Sequence, residues 1–196
     1  MRRQKMRHIL HIVMVAVICA LCTLLPAVAD EEADKSIADY RVKIAFIYNF
    51  LKFVDWPGDS SPKKTNTANV CIIGDKGFSE YFKSFQSSHK QNLVLNIDDA
   101  AHGNTIASCH ILYIGKDEED NITTILASAK HHPVLSISEA SGFADNDGII
   151  EIVKVGKSVG LFSKDKINLR INLKTADADG LVIDARLLQI AAEVIK

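Results

Sequence analysis

The chain has 196 residues, 47% of them apolar, with 23 Lys+Arg against 24 Asp+Glu. That length supports one domain with a real core. The four basic residues of the first seven, Arg2, Arg3, Lys5 and Arg7, stand apart from the rest, and without them 19 basic face 24 acidic residues, a net of about −5. Such a balance, with no basic cluster, does not suit phosphate-backbone binding, so nucleic acid is excluded as the expected partner.

The basic start precedes an apolar run from Ile9 to Leu25, then Pro26 and Ala27-Val28-Ala29 before Asp30. A basic n-region, an apolar h-region and an A-x-A site predict a secretory signal over 1–29, cleaved after Ala29. The alternative is an uncleaved anchor at the short limit of a membrane span. Residues 30–196 then form the exported domain. Cys19 and Cys22 leave with the signal; Cys71 and Cys109 remain. In an oxidising compartment a lone pair reads most simply as one disulfide, the alternative being two buried thiols.

Ser36 reads as an N-cap. Ile37, Tyr40, Ile44, Ile47, Leu51 and Val54 follow at spacings of three and four, a helical stripe that Phe46, Phe50 and Phe53 widen. Pro57 ends this helix near Asp55. Residues 58–69 read as a polar loop. Strands are predicted at Val70–Ile73, Leu93–Ile97, Cys109–Ile114 and Pro133–Ile137, with helices at Phe78–Phe85 and Glu118–Lys130 between them. Strands alternating with helices argue for a mostly parallel sheet flanked by helices. After Ser138 the pattern changes. Ile149–Val155, Val159–Ser163 and Ile167–Leu173 read as consecutive strands, with Gly156-Lys157 a hairpin turn. Asp184–Ile195 reads as a closing helix. The expected fold is a single three-layer α/β domain with an antiparallel C-terminal hairpin region.

Catalytic constellations are not found. Gly74-Asp75-Lys76-Gly77 joins a strand to a helix, but it is neither G-x-G-x-x-G nor a P-loop. His131-His132 cannot point both rings to one strand face and reads as a helix end. No Cys or His spacing fits a metal site, no G-x-S-x-G is present, and the acidic groups fall in turns, where solvated carboxylates are ordinary. No cofactor is expected. Arg170 and Asn172 share one face of their strand and are expected to be buried polar residues, with Asp184 as a partner.

Several landmarks occur in order: Tyr48-Asn49-Phe50-Leu51-Lys52-Phe53-Val54-Asp55-Trp56-Pro57, Val70-Cys71-Ile72-Ile73-Gly74-Asp75 with Phe78, Cys109–Ile114, Pro133–Ser138, Phe143, Gly148-Ile149-Ile150, Leu169–Leu173 and Gly180–Leu188. Together they resemble the YfiR/HmsC-like family of bacterial periplasmic proteins over about residues 36–196. The resemblance implies a single α/β domain, often dimeric. It also implies a non-enzymatic repressor that binds the periplasmic sensor domain of an inner-membrane diguanylate cyclase and so controls cyclic di-GMP and biofilm formation. Cys71 and Cys109 fall on the family's shared cysteine pair; the second pair that some members carry near Phe143–Ile150 is missing. A repressor of this kind needs an apolar contact patch. The candidates are Ile149, Ile150, Ile152 and Phe162, ahead of the helix face around Phe46, Phe50 and Phe53. The competing expectation is a periplasmic small-ligand-binding subunit of another signalling or uptake system, with its ligand at the βα turns.

Overall fold

The computed structural model describes residues 14, 34–58, 61–89, 92–99, 103–155 and 166–196. The signal segment is outside these apart from Met14, as are Phe162, the Gly156-Lys157 turn and the strand expected at 159–163. The chain divides into two compact units, Met1–Val42 and Lys43–Lys196. In the first, residues 34–42 are helical.

The second unit opens with helical residues 43–53, here α1. Each helical stretch agrees with the helix expected there from the sequence. Then follow β1 (Val54–Asp55), α2 (Pro62–Thr65), β2 (Thr67–Ile73), α3 (Lys76–Ser88), β3 (Val94–Asp98), a 3-10 turn (Gly103–Ser108) and β4 (Ile111–Ile114). A second 3-10 stretch (Lys116–Asn121) leads into α4 (Ile122–Ala129), β5 (Leu135–Ser138), β6 (Ile150–Val155) and β7 (Lys166–Asn172). The chain closes with α5 (Leu173–Ala178), β8 (Val182–Ile183), α6 (Ala185–Ile190) and β9 (Glu193–Ile195).

Seven strands form one sheet in the order β3-β2-β4-β5-β6-β7-β9, while β1 and β8 form a separate antiparallel pair. All neighbours in the large sheet are parallel except β6 and β7. The mixed α/β architecture with an antiparallel C-terminal pair is thus as the sequence implied.

From β2 the chain steps to one side through α3, and from β4 to the other through α4. Right-handed crossovers then place these helices on opposite faces. The side chains agree. Phe78 of α3 meets the Tyr113 ring edge-on at 5.1 Å and stacks near Phe82, which meets Tyr48 of α1. Leu126 and Ala129 of α4 join a cluster with Cys71, Ile73, Leu112 and Ile114, the residues that alternate onto the other face.

Two expectations need correction, one at the C-terminus and one in residues 58–69. The closing helix stops at Ile190, which is 69% exposed. The β-branched pair Val194-Ile195 instead runs parallel to β7, beginning from the Ala192 N–H on the Leu169 carbonyl. The open edge of β7 would otherwise leave a row of unpaired backbone groups, and three extended residues cover it. The Gly58–Asn69 loop also contains a turn of helix, α2, and β2 starts at Thr67.

Candidate functional site

Each Cα-paired residue across a sheet shares its neighbour's face. Leu112↔Ser136, Ser138↔Glu151, Glu151↔Arg170 and Arg170↔Glu193 therefore lie on the α4 face. Leu135, Ile137, Ile150, Ile152, Leu169 and Ile171 lie on the other, and all six are buried. One face of the β5–β9 half is thus apolar and the other polar. The polar face is served by the segment 140–148 that joins β5 to β6.

Glu151 organises that segment. It is 4% exposed. Its Oε1 accepts the Gly142 N–H and its Oε2 the Ala144 N–H, both at 3.1 Å. Arg170 Nη1 donates to Oε2 at 2.8 Å. The same guanidinium makes a two-pronged pair with Asp145, 2.8 Å on each arm, and donates through Nε to Glu193 at 2.6 Å. Its hydrogen bonds to Asp145 and Glu193 hold its pKa above the ordinary arginine value, and in return it holds the Asp145 carboxyl low. Asn172 donates from Nδ2 to the Ala144 carbonyl at 2.9 Å and accepts the Thr175 N–H, capping α5. Asn172 is buried at 6% exposure, whereas the Arg170 side chain, at 20%, is only partly so, and both fasten neighbouring segments. Asp184 is not its partner: it caps α6 and pairs with Arg186.

Beside this network lies a cleft of about 640 Å³ at the N-terminal edge of the parallel strands. Leu126 and Ala129 of α4, Ser136 of β5, Asp145–Asp147, Asn172 and α5 line it. His131 and Asp147, both on its wall, have φ of 64°. His131 is held there by its N–H, which Asp179 Oδ1 accepts at 2.8 Å.

Cys71 and Cys109 form the disulfide that the cysteine count suggested, with Cα atoms 5.9 Å apart. It ties the end of β2 to the residues that open β4, which are adjacent parallel strands. Phe143, Leu126 and Ala129 belong to the same apolar cluster, so the bridge stands behind the cleft wall.

At the opposite edge, the crevice between β2 and β4 is where the connections diverge, the usual place for a ligand in such sheets. Here it is closed. The Gly115 N–H donates to the Ile73 carbonyl at 2.7 Å, and a Cβ at Gly115 would collide with the Gly74 carbonyl. Asp75 caps α3 through the Phe78 N–H, so a carboxylate of the chain itself occupies the helix start. Lys43 of α1, only 7% exposed, reaches Asp75 at 3.1 Å and Glu139 at 3.4 Å. Its ammonium also lies 5.2 Å from the Tyr113 ring centre and 5.4 Å from that of Phe78. Burial opposes the charge on Lys43, but Tyr113, Glu139 and Asp75 outweigh it and hold its pKa above the usual lysine value. Burial raises the Tyr113 hydroxyl.

The residues expected to form an exposed apolar patch are buried or half-buried where the structure describes them. Ile149 and Ile150 are 0% and Ile152 is 4% exposed. β6 is no sheet margin: β5 and β7 flank it, and β9 lies beyond. Phe162 is outside the described residues. Phe50 is fully buried and stacks on Phe46, while Phe53 lies 5.0 Å below the Arg186 guanidinium. Among the described residues of the second unit, the most exposed large apolar side chains are Val182 at 62% and Ile190 at 69%. No group of three or more His, Cys, Asp or Glu among the described residues suits a metal, and no described helix is long and apolar enough to cross a membrane. His110 Nδ1 accepts the Asn69 N–H, a structural role.

Lys43, Glu139 and Glu151 were missed by sequence reasoning. A signal existed for Glu151, the lone charge inside the run Ile149–Val153.

The model of the YfiR/HmsC-like family matches residues 40–192. No curated protein matches the chain. Among solved structures, a conserved domain protein from Vibrio cholerae is similar at 14% identity and a TM-score of 0.49. The match covers 65% of this chain and 54% of that one, so it spans about half of that protein's length.

Proposed function

This chain belongs to the YfiR/HmsC-like family, and from that premise we propose that it binds and represses the periplasmic sensor domain of an inner-membrane diguanylate cyclase. The family is one of periplasmic, non-enzymatic regulators of cyclic di-GMP signalling. Its match over residues 40–192 is the observation that carries the reading. Supporting it, the disulfide suits an oxidising compartment. The polar side chains described above are engaged in holding loops and helix ends rather than grouped around a reacting atom.

Repression acts through contact, and the contact surface we infer is the β8–α6 segment. Val182 and Ile190 there are the most exposed large apolar side chains among the described residues of the second unit. In the native host, deleting the gene should raise cyclic di-GMP and biofilm, and the wild-type gene should restore both. The pair Val182→Asp with Ile190→Asp should behave like the deletion while the protein remains folded and exported. An unchanged cyclic di-GMP level in the deletion strain would overturn the repressor reading and favour the small-ligand-binding subunit instead.

A further inference from the structure

The cleft at the N-terminal edge of the sheet has a floor and walls of different chemistry. Ser136 and Asn172 are 2% and 6% exposed and line it from adjacent parts of the polar face. The Ser136 oxygen accepts the Ile149 N–H at 3.0 Å, but its hydroxyl hydrogen has no acceptor among the described residues. Asn172 gives one Nδ2 hydrogen to the Ala144 carbonyl and fills its own oxygen with the Thr175 N–H; its second Nδ2 hydrogen has no acceptor among the described residues. Each residue thus keeps one donor hydrogen for a group placed in the cleft. Lys174 lines the same cleft, and no described residue pairs with its ammonium.

Three donors, one of them cationic, suit an acceptor that carries negative charge. The walls limit that charge. Asp145, Asp147 and Asp179 also line the cleft; Asp145 is held by Arg170, Asp147 lies 3.8 Å from Lys130 and Asp179 accepts the His131 N–H, but a dianion would still meet all three at close range. Leu126, Ala129 and Ile195 give the remaining wall an apolar surface. The volume of about 640 Å³ falls in the range of metabolite sites. We propose that this cleft binds a small monocarboxylate with an apolar body, its carboxylate received by Ser136, Asn172 and Lys174. The inference rests on the cleft alone and holds whether or not the chain represses a cyclase.

The test is titration of the purified, oxidised exported chain with hexanoate, hexylamine and inorganic phosphate, followed by calorimetry and by amide chemical shifts. Hexanoate should saturate, with the largest shifts at Ala144, Ile149 and Thr175. Lys174→Gln should weaken it about tenfold or more, the worth of a charge-assisted hydrogen bond. Ser136→Ala should do the same; because it strips a partner from the Ile149 N–H, the surface variant Lys174→Gln keeps the test valid if Ser136→Ala fails to fold. Failure of hexanoate to saturate would overturn the site. Equal or tighter binding of phosphate or hexylamine would overturn the ligand class. Unchanged hexanoate affinity in Lys174→Gln would overturn the assignment of the carboxylate end.

Discussion

Glu151 places a full charge in the middle of a buried strand, which is tolerable only because both of its oxygens accept hydrogen bonds. It accepts two loop N–H groups and one arm of Arg170. Glu151→Ala strips all three at once and leaves the guanidinium facing Asp145 and Glu193 with its innermost partner gone. Loss of a buried ionic partner typically costs about 3–5 kcal/mol. Urea unfolding should show a loss of that order, and a loss below about 1 kcal/mol would contradict the role given to this residue. Asp179 makes the opposite kind of prediction. Burial raises its carboxyl pKa, against the pull of the His131 N–H and nearby cations. A carboxyl raised on folding supports the fold fully only below its unfolded pKa of about 3.9, and that support is lost as pH rises through the folded value. Asp179→Asn keeps an oxygen for the His131 N–H and removes the half-buried charge. Its melting temperature should rise above wild type at neutral pH and match wild type near pH 3. A lower melting temperature at neutral pH would contradict this. The sequence revealed Arg170 and Asn172 through their period-two spacing, but not what they hold. Their partners Glu193 and Ala144 are set by strand order, which local spacing does not carry.

At the scale of elements, covalent and steric ties fix β2 against β4. The disulfide closes residues 71–109, and the loop-entropy model gives about 4 kcal/mol for that span. Reduction, or replacement of both cysteines by alanine, should lower unfolding stability by roughly 2–5 kcal/mol in urea. A loss near zero would mean that the strands need no such tie. Gly115→Ala tests the closed crevice independently. Its methyl group would collide with the Gly74 carbonyl, so a cost of about 1–3 kcal/mol is expected, and a neutral effect would show that the two loops can separate freely. Apart from β1 and α2, the helices and strands up to Ser138 were legible because apolar runs and 3.6-residue stripes report burial directly. The closing helix was misread beyond Ile190, because Ala191–Ile195 satisfies a helical stripe as readily as a short strand. The unpaired edge of β7, a tertiary fact, decided between them. The exposure of Ile150 and Ile152 was misjudged for the same reason. Ile150 and Ile152 read as spare only if β6 is marginal, and the later strands β7 and β9 make it interior.

For the whole molecule, the sheet divides its labour. At the C-terminal edge, paired glycines and the buried Lys43 with its two carboxylates close the place where related topologies take ligands. At the other edge, the Glu151–Arg170 network fixes the 140–148 segment beside a cleft that adjoins the disulfide cluster. Such a scaffold keeps its loops fixed, which suits the contact repressor proposed above. The most direct measurement is cyclase output with the two proteins together. Detergent-solubilised membranes from the deletion strain should convert GTP to cyclic di-GMP, and adding the purified, oxidised exported chain should suppress that conversion in a saturable way. The Val182→Asp, Ile190→Asp variant should fail to do so. Conversion that continues undiminished at saturating wild-type protein would contradict the account.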